Sequence, residues 1–309
     1  MTAPVLDITV GISTLDRPAA LGRCLDAILA GTTVPAEIVV VDQGRDSADA
    51  ILSARRTARP ALLHVRQSRM GLSAARNSMF EHASQPLVAV TDDDCVPDAR
   101  WLSAIGEAFS RRPFPDAVSG RVLALPGDNL RTHAVSLRTS EVAEDFTGEH
   151  IPWRVGTGAN FAARRHLVRA LGGYDERLGA GSLGQAAEDV DLALRVLRAG
   201  SRIRYDPAAI VYHERQPEAR RLATRWSYAH GIGAVAGILG RERDRFAMTM
   251  LAAFGRDVLA RAARAIRSHD RSALHQAMLS VGGAANGVAY GWRVARRPRR
   301  LNRLDTAAS

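Results

Sequence analysis

The chain has 309 residues, 46% hydrophobic and 24% charged; at roughly 100–200 residues per domain it holds one large domain or two smaller ones, and it is neither disordered nor collagen-like. No uncharged apolar run reaches the roughly 18 residues of a spanning helix, and its two cysteines, Cys24 and Cys95, exclude a disulfide framework and a four-cysteine zinc site, which fits a reduced, cytoplasmic compartment. The net charge of +10 is uneven: all 42 basic residues are arginine, residues 215–309 hold 18 of them against 6 acidic residues, and residues 1–214 hold 24 against 26.

Residues 5–13, VLDITVGIS, are apolar and β-branched and predict a buried strand. No basic stretch precedes them, so a signal peptide is not expected. Asp16 is expected to cap a helix with Pro18 in its first turn, Leu21, Leu25, Ile28 and Leu29 on one face and Gly31 at its end. EIVVVD (37–42) reads as a strand buried on both faces, and ALLHVRQ (61–67) as another. A helix follows Gly71 to about Ser84, then the strand PLVAVTDDD (86–94). Asp98 starts a helix with Trp101, Leu102, Ile105 and Phe109 on one side, and a strand follows near 116–124. This alternation predicts a mainly parallel α/β sheet with helices on both faces. Ligands of such sheets bind outside the carboxyl ends of the strands, where Asp16, Asp42 and Asp92–Asp94 fall.

Residues 126–155 are irregular. Residues 156–215 are glycine-rich and polar, with one helix from about Glu188 to Ala199 and a strand ahead of His213. Past Gln216 the pattern is helical, ending in the basic segment RRPRRLNR (296–303). The domains expected are 1–215, with halves of about 1–125 and 126–215, and a basic helical region, 216–309.

Three carboxylates in a row after a buried strand can serve chemistry. On an extended chain residues i and i+2 point the same way, so Asp92 and Asp94 face one ligand and Asp93 turns aside. Close carboxylates repel unless a cation lies between them, and Mg²⁺ or Mn²⁺ suits such a site. A solvated acidic turn is the bland alternative. EDVDLALR (188–195) opens a helix with acid in its first turn, which either complements the helix dipole or serves a ligand that the glycine-rich approach lets come close. His213 alone is more often structural, and Arg76 more often a surface arginine.

Together these segments are specific. ITVGISTLDRP (8–18), EIVVVDQG (37–44), GLSAARN (71–77), VTDDDCVPD (90–98), GTGANFAARR (156–165), GGYDERLG (172–179), EDVDLALR and IRYDPAAIVYHE (203–214) stand in the order of family 2 glycosyltransferases. The chain resembles that family over about residues 7–215. The resemblance implies a GT-A fold and an inverting transfer from a nucleoside diphosphate sugar to an acceptor hydroxyl, in the synthesis of cell-envelope, polysaccharide, glycolipid or natural-product glycans. It also implies the roles that follow. Asp42 bonds the base edge, with Thr14 and Asp16 lining the same pocket, and Arg76 and Asp93 lie on the nucleotide-sugar side. Asp92 and Asp94 bind the ribose and a divalent metal, Mn²⁺ or Mg²⁺, with His213 as a further ligand. Asp189 is the catalytic base, and Glu188 and Asn160 lie on the acceptor side. The loop carries Leu15 where many members carry an aromatic, which leaves the base open.

A sugar-phosphate nucleotidyltransferase would open with a glycine- and lysine-rich loop, and the chain has no lysine. A nucleic-acid-binding protein would pair its arginines with exposed aromatics, but aromatics are 5% of the chain, so no nucleic-acid partner is expected. The Gly/Ala-rich segments 226–240 and 275–292 fit either helices packed on the catalytic part or on a second subunit of a homo-oligomer, or an interfacial region on an anionic membrane. The second alternative would place the protein peripherally at the inner face of the membrane.

Overall fold

The computed structural model describes residues 3–45, 48–56, 59–127 and 131–295; the basic segment 296–303 lies outside them. The elements run β1 (Val5–Thr14), α1 (Pro18–Leu29), β2 (Val34–Asp42), α2 (Asp49–Ser53), β3 (Ala61–Arg66), α3 (Leu72–His82), β4 (Leu87–Asp92), β5 (Cys95–Pro97), α4 (Trp101–Ser110), β6 (Ala117–Ala124), β7 (Thr132–His133), β8 (Glu144–Phe146), β9 (Phe161–Arg164), α5 (Arg165–Ala170), α6 (Glu188–Arg198) and β10 (Ile203–His213). Three long helices follow: α7 (Arg221–Arg241), α8 (Phe246–Arg267) and α9 (Arg271–Val294). The chain divides into two compact units, Met1–Tyr174 with Leu192–Gln216, and Asp175–Asp191 with Pro217–Ser309. The segment 175–191 thus groups with the C-terminal helices.

In the first unit a nine-stranded sheet has the order β3-β2-β1-β4-β9-β6-β10-β5, with β8 also paired to β10. Strands β3, β2, β1 and β4 are parallel, as the alternating pattern predicts. The sheet as a whole is mixed, because β9 enters antiparallel between β4 and β6. Four residues, FAAR, carry too little periodicity to announce that strand.

Period-two alternation builds two cores. Ile8, Val10 and Ile12 of β1 face α1 and α4, packing with Leu21, Leu25, Trp101 and Ile105. Val39 and Val41 of β2 face the other way, with Met79 and Phe80 of α3 and Leu192 and Val196 of α6. Each such aliphatic side chain contributes about 1.5–3 kcal/mol on full burial. Gly11 lies on the α3 face because a Cβ there would sit 2.8 Å from Met79 Sδ.

Asp16 does not cap α1. Arg17 occupies that position, without a side-chain bond to the helix. Asp16 instead adopts φ +53, a left-handed conformation that Asp tolerates, and its Oδ1 accepts the Arg45 N–H at 2.7 Å.

In the second unit α7 and α9 cross closely. A Cβ at Gly233, Gly237, Gly287 or Gly291 would run into a carbonyl oxygen of the facing helix, Ala284, Val288, His230 and Ala234 respectively. The Gly/Ala content of 226–240 and 275–292 is therefore used between these two helices. The loop before α6 rests on the same pair. Tyr290 donates its hydroxyl to the Arg177 carbonyl at 2.9 Å, His230 Nε2 lies 3.1 Å from the Leu183 carbonyl, and Gly231 leaves room for Ala186.

Candidate active site

Strand register gathers the predicted acids at one sheet edge. Thr14 pairs with Asp42 across β1 and β2, and Ser13 pairs with Asp92 across β1 and β4. The chain then turns through Asp93 and Asp94 into β5. β5 runs antiparallel to β10 and sets Cys95 opposite His213, and the Glu214 N–H donates to the Asp94 carbonyl at 2.8 Å. Asp92 and Asp94 do share a ligand direction, but through this tight turn and not through an extended strand.

Ligand atoms of Asp92, Asp94, Cys95 and His213 all lie within 4.8 Å of one another. His213 Nδ1 lies 2.8 Å from the Glu214 carbonyl, to which it donates, and Nε2 lies 3.6 Å from Asp94 Oδ1. Burial first, then the charges of Asp92 and Asp94, push the Cys95 thiol well above its ordinary range. The two carboxylates and the imidazole of this group fit a hard divalent ion such as Mn²⁺ or Mg²⁺.

Three neighbours set the charge of this corner. Arg76 of α3 is fully buried. Its Nη2 donates to Asp92 Oδ1 at 3.0 Å, its guanidinium lies 5.5 Å from the Tyr174 ring centroid, and a Cβ at Gly158 would sit 2.5 Å from Nη1. It is a counter-ion in the core of the site and not a surface arginine. Asp93 turns aside and accepts the Thr14 hydroxyl at 2.8 Å. Burial pushes its carboxyl up to about 6, helped by Asp94 and Asp92 and opposed by Thr14 and Arg17. Arg17, which the sequence did not single out, donates to Asp94 Oδ2 at 2.8 Å and to Asp93 Oδ1 at 3.4 Å. Its signal was position alone, one residue past Asp16 on the loop that leaves β1.

Asp42 is almost wholly buried. Its Oδ1 accepts Gly44 N–H at 2.9 Å, and its Oδ2 meets Ala48 N, His64 Nε2 and Arg66 Nη1 at 3.0–3.1 Å. Burial alone would raise its pKa, but the Ala48 and Gly44 N–H groups, then His64 and Arg66, hold the carboxyl below its ordinary value. Both oxygens are thus engaged by the chain itself. Gly44 is small because a Cβ there would sit 2.6 Å from Asp16 Oδ1, so Asp16 and Asp42 together fix the loop after β2.

Asn160, expected on the acceptor side, is spent in the core. Its Oδ1 accepts the Trp101 indole N–H at 2.9 Å, and its Nδ2 donates to the carbonyls of Arg121 and Ala209 at 2.9 and 2.8 Å. With every polar atom hydrogen-bonded in a buried position, it joins α4, β6 and β10.

In the second unit Glu188 is buried and Asp189 partly exposed at the start of α6. Asp189 Oδ1 accepts the Val190 N–H at 2.8 Å. The approach bends through left-handed Gly179, Gly181, Gln185 and Ala187.

The sequence profile of the glycosyltransferase-like family 2 matches residues 4–229. The pre-mycofactocin glycosyltransferase of Mycobacterium tuberculosis is 27% identical over 253 residues, 78% of this chain and 49% of that protein. The glucosyl-dolichyl phosphate glucuronosyltransferase of Haloferax volcanii is 24% identical over 223 residues, 68% of this chain and 69% of that protein. This chain spans about half the length of the mycobacterial relative. Among solved structures, the mannosyltransferase PcManGT of Pyrobaculum calidifontis, in complex with GDP-Man and Mn²⁺, superposes with a TM-score of 0.61 at 20% identity, over 93% of this chain and 88% of that one. S. aureus TarS 1-349 with UDP-GlcNAc gives 0.63 at 16% identity, over 92% and 82%. These likenesses establish the fold.

Proposed function

The chain belongs to the glycosyltransferase-like family 2, and from that premise we propose that it transfers a sugar from a nucleoside diphosphate sugar to an acceptor hydroxyl, with inversion and with a divalent metal. The observation that carries this reading is the convergence of Asp92, Asp94 and His213 within 4.8 Å at the carboxyl edge of the sheet. Asp92, Asp94 and His213 Nε2 are the groups that would hold such an ion. A divalent ion bound there neutralises the diphosphate leaving group.

The chain's own residues do the rest. Arg76 and Arg17 balance the acids, so that three adjoining carboxylates coexist before a substrate arrives. Asp42 and Asp16 fix the loop after β2 against which the nucleotide base rests. Thr14 keeps Asp93 turned away from the ligand atoms. Asp189 accepts the proton of the acceptor hydroxyl as its oxygen attacks the anomeric carbon, and no enzymic nucleophile intervenes, so the configuration inverts. Glu188 lies beside it on the acceptor side. The related solved proteins hold GDP-Man and UDP-GlcNAc, so one fold accommodates purine and pyrimidine donors. The domain reading that accompanies this is a catalytic part over about 1–215 and a helical part over 216–309.

The test is Asp189→Asn, assayed with UDP-, GDP- and dTDP-sugars and Mn²⁺. Turnover is expected to fall by about 10²–10⁴-fold while donor affinity stays within a factor of a few. Loss of donor affinity with turnover intact at saturation would move the base elsewhere. No metal-dependent binding of any sugar nucleotide by the wild type would overturn the proposed function itself.

A further inference from the structure

We propose that α8 and α9 form a surface that lies in the plane of an anionic phospholipid bilayer, with apolar side chains entering the headgroup boundary and arginines beside them meeting lipid phosphates. Among the described residues no helix is long and apolar enough to cross a membrane. What α8 and α9 carry instead is an outward apolar stripe on each.

On α8, Met248 and Leu259 are 70% exposed and Ile266 60%. Their spacings of eleven and seven residues place them within roughly 20° of one line along the helix. The buried residues of α8, Met250, Ala253, Val258 and Ala265, lie on the other side by the same geometry. On α9, Met278 and Val281 are 65% and 59% exposed and Trp292 48%, within a sector of roughly 60°. The buried side of α9 is its glycine seam with α7. Six large apolar side chains at helical spacing are therefore left outside the packing that the unit makes with itself. An exposed patch of this kind marks a docking or membrane surface, and Trp292, with the Arg241 guanidinium 5.4 Å from its ring, has the amphipathic character of a side chain at a bilayer boundary.

Charge decides the occupant. Arg256 and Arg267 are exposed on α8 beside its stripe, and residues 215–295 hold 13 Arg against 5 acidic residues. Arg225 and Arg261 are both held below the ordinary guanidinium range, first by burial and then by neighbouring arginines, Arg221 for one and Arg225 for the other. A face with this excess repels its own copy and attracts a negative surface. Apolar stripe and arginine flank together are what an in-plane interfacial helix requires.

The experiment is co-sedimentation of the full chain with vesicles of phosphatidylcholine alone and of phosphatidylcholine with phosphatidylglycerol, across a salt series. The wild type is expected to sediment with the anionic vesicles at low salt and to leave them as salt rises. Arg256→Gln and Arg267→Gln should each lower partitioning by about fivefold, and together by about twenty-five-fold. Leu259→Gln with Ile266→Gln should lower it at every salt concentration, with circular dichroism confirming unchanged helix content. Negligible binding to both vesicle types at low salt overturns the proposal. So does anionic binding that survives both sets of substitutions, which would assign it to another basic segment. A wild-type dimer in solution that the Leu259 and Ile266 substitutions convert to monomer would instead assign the stripe to a second copy. None of these outcomes depends on the glycosyl transfer proposed above, so the two readings fail separately.

Discussion

Asp94→Asn tests the metal corner with a sign as well as a size. The substitution keeps the volume and the backbone, and the Asp94 carbonyl still receives the Glu214 N–H. It removes one of three adjoining carboxylates, which relieves repulsion on Asp92 and on buried Asp93. It also removes the charge that pairs with Arg17 at 2.8 Å, but Arg17 is 44% exposed, and such pairs are worth about 0–1 kcal/mol. The two effects oppose each other, so the metal-free melting temperature should move by no more than ~2–4 °C. The metal-bound state behaves otherwise. At a metal concentration about one hundred times Kd, binding stabilises the wild type by ~2.7 kcal/mol, or ~5–10 °C. A hundredfold weaker site leaves ~0.4 kcal/mol, or ~1 °C. The assay is thermal unfolding of both proteins across a Mn²⁺ titration, with and without UDP or GDP. An undiminished Mn²⁺ shift in Asp94→Asn would remove Asp94 from the ligand set. No shift in the wild type, with or without nucleotide, would refute the metal site.

Two further outcomes concern the frame of the molecule. Gly287→Ala places a methyl against the His230 carbonyl; overpacking of this kind costs about 1–3 kcal/mol, seen as a lower urea midpoint for the C-terminal helices, whereas Gly255→Ala, with open space around it, should leave that midpoint unchanged or raise it. Asp145 accepts Arg204 Nε and Nη2 at 2.7 and 2.8 Å, and its pKa is lowered chiefly by that hydrogen-bonded pair. The stability it contributes is therefore present above the ordinary carboxylate value and lost as pH falls through its lowered one. Asp145→Asn should cost about 1–2 kcal/mol at pH 7 and progressively less under acid, read from denaturant midpoints at each pH.

The inner parallel strands β1, β2 and β4 were legible because they are largely buried on both faces, so their composition alone marks them. Val39, Val40 and Val41 leave no room for a helical reading. β9 and β8 were not legible. Each has three or four residues, and each exists through partners far along the chain, β4 and β6 for one and β10 for the other. The helix of residues 188–198 was visible from its acidic first turn and its apolar period. What the sequence could not convey is that 175–191 groups with α7–α9, because the contacts that bring it there are backbone carbonyls meeting His230 and Tyr290, which no local pattern encodes.

The site was legible at the level of charge, while its hydrogen bonds were not. Three aspartates after a buried strand were enough to place acids at the sheet edge, and His213 joined them through the pairing of β5 with β10. Roles that depend on which lone pair is free could not be read that way. Asn160 gave no sign that Trp101 and two carbonyls engage its buried amide. Asp42 gave no sign that its loop and the neighbouring strand β3 supply it with four partners. Arg17 went unnoticed because a single arginine in a chain with 42 basic residues carries no signal. Yet the physics demanded it: an Asp93 carboxyl raised to about 6 by burial, flanked by two more carboxylates, needs cations close by on the protein itself. Arg17 and Arg76 are those cations, one on each side of the acid run, and their positions leave the Asp92–Asp94–His213 face as the direction in which a further positive charge can be received.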